Sequence, residues 1–204
     1  MKKLIVILII SLSICIGEIF LLIHLFPQTG LARIVYIPFY IILMILLTII
    51  LFRKIKDTFP SIHVKALTAA EIHFLSTEYN LSYEEIIDMM ISHGIDSMPG
   101  GGAEIFDEKV RKKICGGKVT SQQWLDIHKL WHQKGRKSNA TMLFGHVEDR
   151  NHRIDHILRL RDLQDITGGF NAFIPLVYQT ENNYLKVKEP LTGQEILKIG
   201  RAHV

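Results

Sequence analysis

The sequence has 204 residues, a formal net charge of +4 and two cysteines. The length suits one domain, with at most an appendage. Basic residues are spread along the chain and often adjoin acids, as at Arg161–Asp162, which argues against a nucleic-acid-binding surface. Cys15 and Cys115 are too far apart in different contexts to form a disulfide framework, and two thiolates are too few for a cubane iron–sulfur site.

Two apolar runs, residues 4–26 and 34–52, open the sequence and are separated by a turn. Each run reaches the roughly 18–20 residues that cross a bilayer. Basic residues precede the first run and follow the second, which predicts an apolar helical hairpin with both ends in the cytoplasm. Glu18 is costly in a lipid-facing helix, so a frame-shifted or chimeric start is the alternative. Residues 1–52 are therefore predicted to be a separate segment, and a membrane is a partner only if the hairpin is genuine.

Short apolar segments alternate with amphipathic helices from residue 53 to residue 198. Strands are predicted at residues 62–67, 95–98, 139–144 and 170–177. Strand and helix alternate about four times, which predicts the α/β class, with a parallel sheet and right-handed crossovers.

The helices between these strands are predicted from their capping residues and apolar spacing. One covers residues 69–79, and a capping box, Ser82 with Glu85, opens the next, which stops at Gly94. Asp107 caps the third, and Thr120 or Ser121 caps the fourth. A long helix with Ile154, Ile157, Leu160 and Leu163 on its apolar side ends at Gly168-Gly169.

Polar residues concentrate where the predicted strands end. They are Lys65, Thr68 and Glu71; Asp96, Ser97, Gly100, Gly101, Gly102 and Glu104; Thr141, His146 and Glu148; and Gln179, Glu181 and Asn182. Ligands of parallel α/β proteins bind at the carboxyl ends of the strands. The sequence therefore predicts a small-molecule site there.

The sharpest local feature is the triple glycine in Pro99–Glu104. Three glycines after a strand let backbone N–H groups approach a ligand, whereas a simple turn does not need their entropic cost. The segment Asn139–Glu148 likewise places a glycine, an imidazole and a carboxylate after a strand, where they suit a ribose or an adenine edge. A structural alternative is that His146 and Glu148 form a helix-capping pair.

Other motifs favour structural roles. The pairs His128–His132 and His152–His156 have i, i+4 spacing, but neither has the glutamate of a metalloprotease helix, so no metal site is predicted. His128 is placed on an apolar face, and the other three histidines are predicted to be solvated. Cys115 is predicted to be an inert thiol, and Trp124 and Trp131 are predicted to be core residues.

Four segments in order resemble the aminofutalosine synthase branch of the radical S-adenosylmethionine superfamily. They are Val64–Ile72, Gly94–Phe106, Asn139–Glu148 and Thr167–Leu176. Details within them, such as Phe144-Gly145-His146, favour aminofutalosine synthases over cyclic dehypoxanthine futalosine synthases, which remain an alternative. The resemblance implies a partial (β/α) TIM-type barrel over residues 53–198.

The resemblance also implies a cytoplasmic transferase of menaquinone biosynthesis that uses S-adenosylmethionine as co-substrate, a [4Fe-4S] cluster and an external electron donor. In that family the 5′-deoxyadenosyl radical adds to 3-[(1-carboxyvinyl)oxy]benzoate to give aminofutalosine. Candidate catalytic residues are Glu71, Asp96 and His146. The implied S-adenosylmethionine- and substrate-binding residues are Lys65, Thr68, Ser97, Gly100, Gly101, Gly102, Glu104, Asn139, Thr141, Gly145, Glu148 and Pro175.

Departures from the family pattern predict that the chain as written is inactive. The Cys-x3-Cys-x2-Cys loop expected before Val64 is absent, Ile166 stands where the family tends to carry an acid, and only about four strand–helix units are present. Residues 199–204 resemble the translation of a sequencing adapter. An alternative function is a membrane-anchored, non-catalytic module that binds an adenosine-like ligand.

Overall fold

The computed structural model describes residues 50–183, 185, 187 and 191–201. The chain divides into two compact units, Met1–Leu51 and Phe52–Val204. The predicted apolar hairpin lies almost wholly outside the described residues. In the part that the structure describes, no helix combines the length and the apolar character needed to cross a bilayer.

Within the described part of the chain, six helices and three strands follow the helical residues 50–58. In chain order they are α1 (Ala69–Tyr79), α2 (Tyr83–Ser92), β1 (Ser97–Met98), α3 (Glu108–Cys115), α4 (Ser121–Gln133), β2 (Lys137–Phe144), α5 (Arg150–Thr167), β3 (Phe170–Val177) and α6 (Gly193–Arg201). The alternation predicted from the sequence is confirmed from α1 onward.

Side chains at the helix N-termini fix where the helices start. Thr68, Ser82 and Thr120 each form a capping box, and the Asp107 carboxylate accepts a hydrogen bond from the Val110 N–H. A capping side chain satisfies backbone N–H groups that have no partner inside the helix. The predicted starts of these helices are therefore confirmed.

The three strands form one parallel sheet in the order β1-β2-β3. The strand predicted at residues 62–67 is reduced to a single bridge between Lys65 and Ser97. That prediction of a strand is wrong because β1, its neighbour, has only two residues and the chain leaves the sheet at Leu67, where φ is +58°. Such an αL residue turns the backbone out of the extended conformation.

The two faces of β2 differ in burial. Ser138, Ala140, Met142 and Phe144 are buried against the helices, whereas the alternating side chains are only half-buried. The main core lies on the helix side and includes Trp124, Ile127 and Trp131, as the sequence predicts for the tryptophans.

A second, smaller core joins Met142 and Phe144 to Ile105 and Ile199. Ile199 is 8% exposed within α6, although residues 199–204 are predicted to be an appended tail; residues 202–204 lie outside the described residues. Across the described ranges, the strands form an open three-stranded sheet, so barrel closure remains a prediction.

Candidate ligand site at the carboxyl ends of the strands

The glycine loop, defined as residues 99–104, packs tightly against its own chain. A Cβ atom on Gly100 would lie 2.7 Å from the Asn139 carbonyl oxygen, and one on Gly101 would lie 2.9 Å from the Thr68 Cγ2. Gly102 has a φ of +86°, which side chains rarely tolerate. Close packing against β2 and α1 therefore explains why glycine stands at these positions, in addition to the predicted ligand role.

Successive carbonyl groups of the glycine loop accept hydrogen bonds from the surrounding protein. The Thr141 hydroxyl donates to the Gly100 oxygen at 2.5 Å, and the Trp124 indole donates to the Gly101 oxygen at 3.1 Å. The Arg111 guanidinium donates to the Gly102 oxygen at 3.1 Å and also to Ala103. The loop is therefore anchored through its carbonyl side.

The N–H groups of the loop point the other way, because N–H and C=O are antiparallel in a trans peptide and no cis peptide is present in the described ranges. Within those ranges, no N–H of residues 101–104 donates a hydrogen bond to another residue. Consecutive, outward N–H groups beside αL residues are suited to contact an electronegative ligand group. Glu104 ends the loop in the αL conformation, with φ of +46°.

Of the predicted residues around the start of α1, Thr68 is next to the loop. Thr68 caps α1 and contacts Gly101, and its N–H and hydroxyl donate to the Glu71 carboxylate at 2.6 and 2.8 Å. Glu71 is exposed, so its role in the structure is that of a helix cap. Lys65 is exposed before the turn at Leu67.

The turn after β2 is a polar cluster that Arg153 of α5 joins, 3.4 Å from the Glu148 carboxylate. The Glu148 carboxylate accepts hydrogen bonds from the N–H groups of Gly145 at 2.6 Å and of His146 at 2.8 Å, and it lies 3.0 Å from the His146 Nδ1. Burial raises the pKa of Glu148, but the bonds from His146 and the two N–H groups outweigh it and hold the pKa below its usual value. Both side chains are almost fully buried, and they stabilise the turn, whereas the residue that caps α5 is Asp149 and not this pair.

Asp96 lies at the other end of the sheet, because it precedes β1. Its carboxylate accepts a hydrogen bond from the Val64 N–H at 2.8 Å and pairs with the Lys56 ammonium at 2.5 Å. Burial opposes ionisation, but these bonds lower the pKa of Asp96 overall. The expectation that Asp96 closes a strand is therefore wrong. Ser97, the first residue of β1, is buried and bonds to His63 at 2.7 Å.

Pro175 and the predicted β2 residues fall on opposite faces of the sheet. Asn139 and Thr141 alternate with the buried side chains of β2 and so lie on the face away from the helices. Pro175 pairs in register with Met142, whose side chain is on the helix side. The structure thus brings together Thr68, the glycine loop and Thr141, and separates Pro175 from them.

Sequence reasoning missed Arg111, which is 3% exposed and also donates to the carbonyl oxygens of Ile105 and Val119. No spacing pattern distinguishes it from the basic residues beside it on α3. Lys118 was missed for the same reason; its ammonium lies 3.1 Å from the Glu104 carboxylate.

The predicted solvation of the paired histidines is wrong for two of them. His132 is 7% exposed and His156 is fully buried, as is His128. The Ser138 hydroxyl lies 2.8 Å from the His128 Nδ1 and 2.7 Å from the His132 Nε2. The described residues contain no group of three or more potential ligands that could hold a metal ion.

The fold and these loops define an α/β protein whose candidate ligand site is at the carboxyl edge of a parallel sheet. Residues 29–160 match the family described as the Radical SAM superfamily. The chain belongs to that superfamily. The match begins before Arg53, where the sequence-based resemblance was expected to start.

Individual proteins also match this chain, each over 72% of its length. The chain is 49% identical over 152 residues to aminodeoxyfutalosine synthase of Thermus thermophilus, covering 72% of this chain and 41% of the relative. It is 45% identical over 156 residues to aminodeoxyfutalosine synthase of Streptomyces coelicolor, covering 72% and 40%. Cyclic dehypoxanthine futalosine synthase of Streptomyces coelicolor is 40% identical over 148 residues, covering 72% and 37%. The chain thus spans about two fifths of the length of these relatives.

The superfamily implies S-adenosylmethionine and a [4Fe-4S] cluster, and the cysteines of this chain do not fit such a cluster. The sequence has only Cys15, outside the described residues, and Cys115. Cys115 is at the end of α3, and burial raises the pKa of its thiol, which disfavours the thiolate that binds iron. The glycine loop, in contrast, fits a small polar ligand through its outward N–H groups.

Proposed function

We propose that this chain carries part of an aminofutalosine synthase and that residues 65–148 contribute one side of its S-adenosylmethionine pocket. The observation that carries the proposal is the 49% identity to the Thermus thermophilus enzyme across a region that includes the glycine loop. The lower identity to cyclic dehypoxanthine futalosine synthase makes that activity the weaker alternative.

The full-length enzyme would transfer the adenosyl part of S-adenosylmethionine to 3-[(1-carboxyvinyl)oxy]benzoate and form aminofutalosine. Its domain would be a (β/α) barrel in which β1, β2 and β3 are adjacent strands. The half-buried face of β2 that is turned away from the helices supports this, because parallel sheets are normally covered on both faces. Residues 53–198 would be the barrel portion, between the apolar first segment and the short tail.

The chain as written would bind without reacting, since two cysteines cannot supply the three thiolates of the cluster. In this pocket Thr68, Gly101, Glu104 and Thr141 would contact the ligand. Glu104 is the candidate to meet its positive charge, because it is the carboxylate at the end of the loop and is partly exposed; the cation would share it with Lys118.

The ligand role is tested by equilibrium dialysis of S-adenosylmethionine against the full chain. We expect saturable binding that Glu104→Ala weakens and Glu78→Ala, at an exposed position of α1, leaves unchanged. Absence of binding to the unaltered chain would refute the pocket.

The lack of activity is tested separately by anaerobic reconstitution with iron and sulfide. We expect no stoichiometric cluster by iron analysis and visible absorption. A stoichiometric bound cluster would overturn the proposal that this chain is inactive.

A further inference from the structure

Arg111 is a buried cation whose hydrogen bonds all go to backbone carbonyl groups. Its guanidinium donates to the oxygens of four residues: Gly102 at 3.1 Å, Ile105 at 3.1 Å, Ala103 and Val119. The carboxylate that it approaches among the described residues, Glu108, is 3.9 Å away and more than half exposed. A buried charge normally requires a close counter-charge or several hydrogen bonds, and here the carbonyl dipoles serve that purpose.

The planar guanidinium has five donors in a fixed fork, so it can hold several peptide planes in one orientation. Three of its four acceptors belong to the segment from Gly102 to Ile105, and the fourth, Val119, precedes α4. Arg111 thus ties the end of the glycine loop to the helix side of the domain.

We propose that Arg111 is a positioning residue for the ligand-binding loop: by holding the carbonyl groups of Gly102 and Ala103 inward, it turns the N–H groups of Ala103 and Glu104 outward. The direction follows from the antiparallel N–H and C=O of each trans peptide. Arg111 itself touches no ligand in this arrangement. The inference rests on the proposed S-adenosylmethionine pocket for its functional consequence, but not for its effect on the loop.

The loop effect is measured by hydrogen–deuterium exchange with mass spectrometry on the full chain. In Arg111→Met we expect at least a tenfold faster exchange of the Leu143 amide, which donates to the Glu104 carbonyl at 2.7 Å and so reports on the position of the loop, with the peptides of α5 unchanged. Arg161→Met is the matched control, because Arg161 is exposed on α5 and its ion-pair partner among the described residues is the equally exposed Asp165. Equal acceleration across all helices would reduce Arg111 to a general contributor to stability and overturn the proposal.

The binding effect is measured by S-adenosylmethionine dialysis at equal folded fraction, checked by circular dichroism. We expect at least tenfold weaker binding by Arg111→Met, and a partial recovery in Arg111→Lys, which keeps the charge but not the fork. If Arg111→Met does not fold, Arg111→Lys decides: unchanged loop exchange and affinity would contradict the proposal.

The two hypotheses fail differently. If the unaltered chain binds no S-adenosylmethionine, the proposed pocket is refuted, and the loop exchange still tests Arg111. If the chain binds but Arg111 variants bind equally well, the positioning role alone is refuted.

Discussion

Lowering the pH from 7 to 5 is expected to destabilise the fold through three buried histidines. Burial, with a contribution from Lys137, lowers the pKa of His132 from 6.5 to about 4. Burial lowers the pKa of His156 to about 3, and burial together with His132 lowers the pKa of His128 well below 6.5. The folded state therefore keeps these side chains neutral while the unfolded chain binds protons.

The sign and size follow from proton linkage. The pKa values of these histidines are lower in the folded than in the unfolded chain. The stability that depends on their being neutral is therefore fully present above pH 6.5 and is lost as the pH falls toward 4. Between pH 7 and pH 5, each buried histidine lowers the free energy of unfolding by about 2 kcal/mol, so the three together lower it by about 6 kcal/mol. That is comparable with the whole unfolding free energy of a small domain, roughly 5–15 kcal/mol. Asp96 and Glu148 also have lowered pKa values, but their contribution is lost only near and below their usual values of 3.8 and 4.5.

The assay is urea denaturation followed by circular dichroism at half-unit pH intervals from 7.5 to 5. We expect the unfolding free energy to fall with a limiting slope of about 1.4 kcal/mol per pH unit for each histidine. His132→Gln removes one titrating group and should reduce the slope by about a third. An unfolding free energy that does not change across this range would refute the burial of neutral histidines.

Three further substitutions test the packing and the caps. Gly100→Ala should destabilise the chain by about 1–3 kcal/mol in urea denaturation, since the new methyl group meets the Asn139 carbonyl, whereas Gly193→Ala, with open space around it, should not. Ser82→Ala should cost about 1 kcal/mol by loss of the α2 cap, and an unchanged denaturation midpoint would contradict the capping box. Glu148→Ala should lower the thermal midpoint by several degrees in scanning fluorimetry, because two buried N–H groups lose their acceptor; an unchanged midpoint would show that water replaces it.

The helices and their starts were predictable from the sequence because the signals are local. Ser82 with Glu85, and Thr120 with Gln123, satisfy N–H groups within a single turn, so no distant residue is needed to specify them. The bounds of β3 are also as predicted, but the interruption expected at Pro175 is wrong, since the strand runs through it. Proline is tolerated there because, among the described strands, β3 is at the edge of the sheet.

The burial of His132 and His156 was not predictable, because an imidazole counts as polar in any periodicity and its partners are distant in sequence. The partner of His156 is the Thr141 carbonyl at 3.0 Å, fifteen positions away, and His132 pairs with Thr167. The position of Asp96 was misjudged for a related reason. A strand of two residues has too little pattern to show on which side of it the neighbouring acid lies.

Which residues gather at the candidate site was only partly evident from the sequence. The glycine loop could be recognised from its composition and from its place after a strand, whereas Thr141 lies within β2 and not beyond its end. Arg111 does not, since its role depends on four carbonyl groups that converge only in the folded chain.

The anchored carbonyl groups of the glycine loop have a consequence for how a ligand would be captured. Glycine-rich segments are usually mobile, and a mobile loop loses conformational entropy when it closes on a ligand. Here Thr141, Trp124 and Arg111 hold the peptide planes before any ligand arrives. The conformational entropy of the loop has therefore already been lost during folding. Ligand association at this loop should be fast and should need no induced closure.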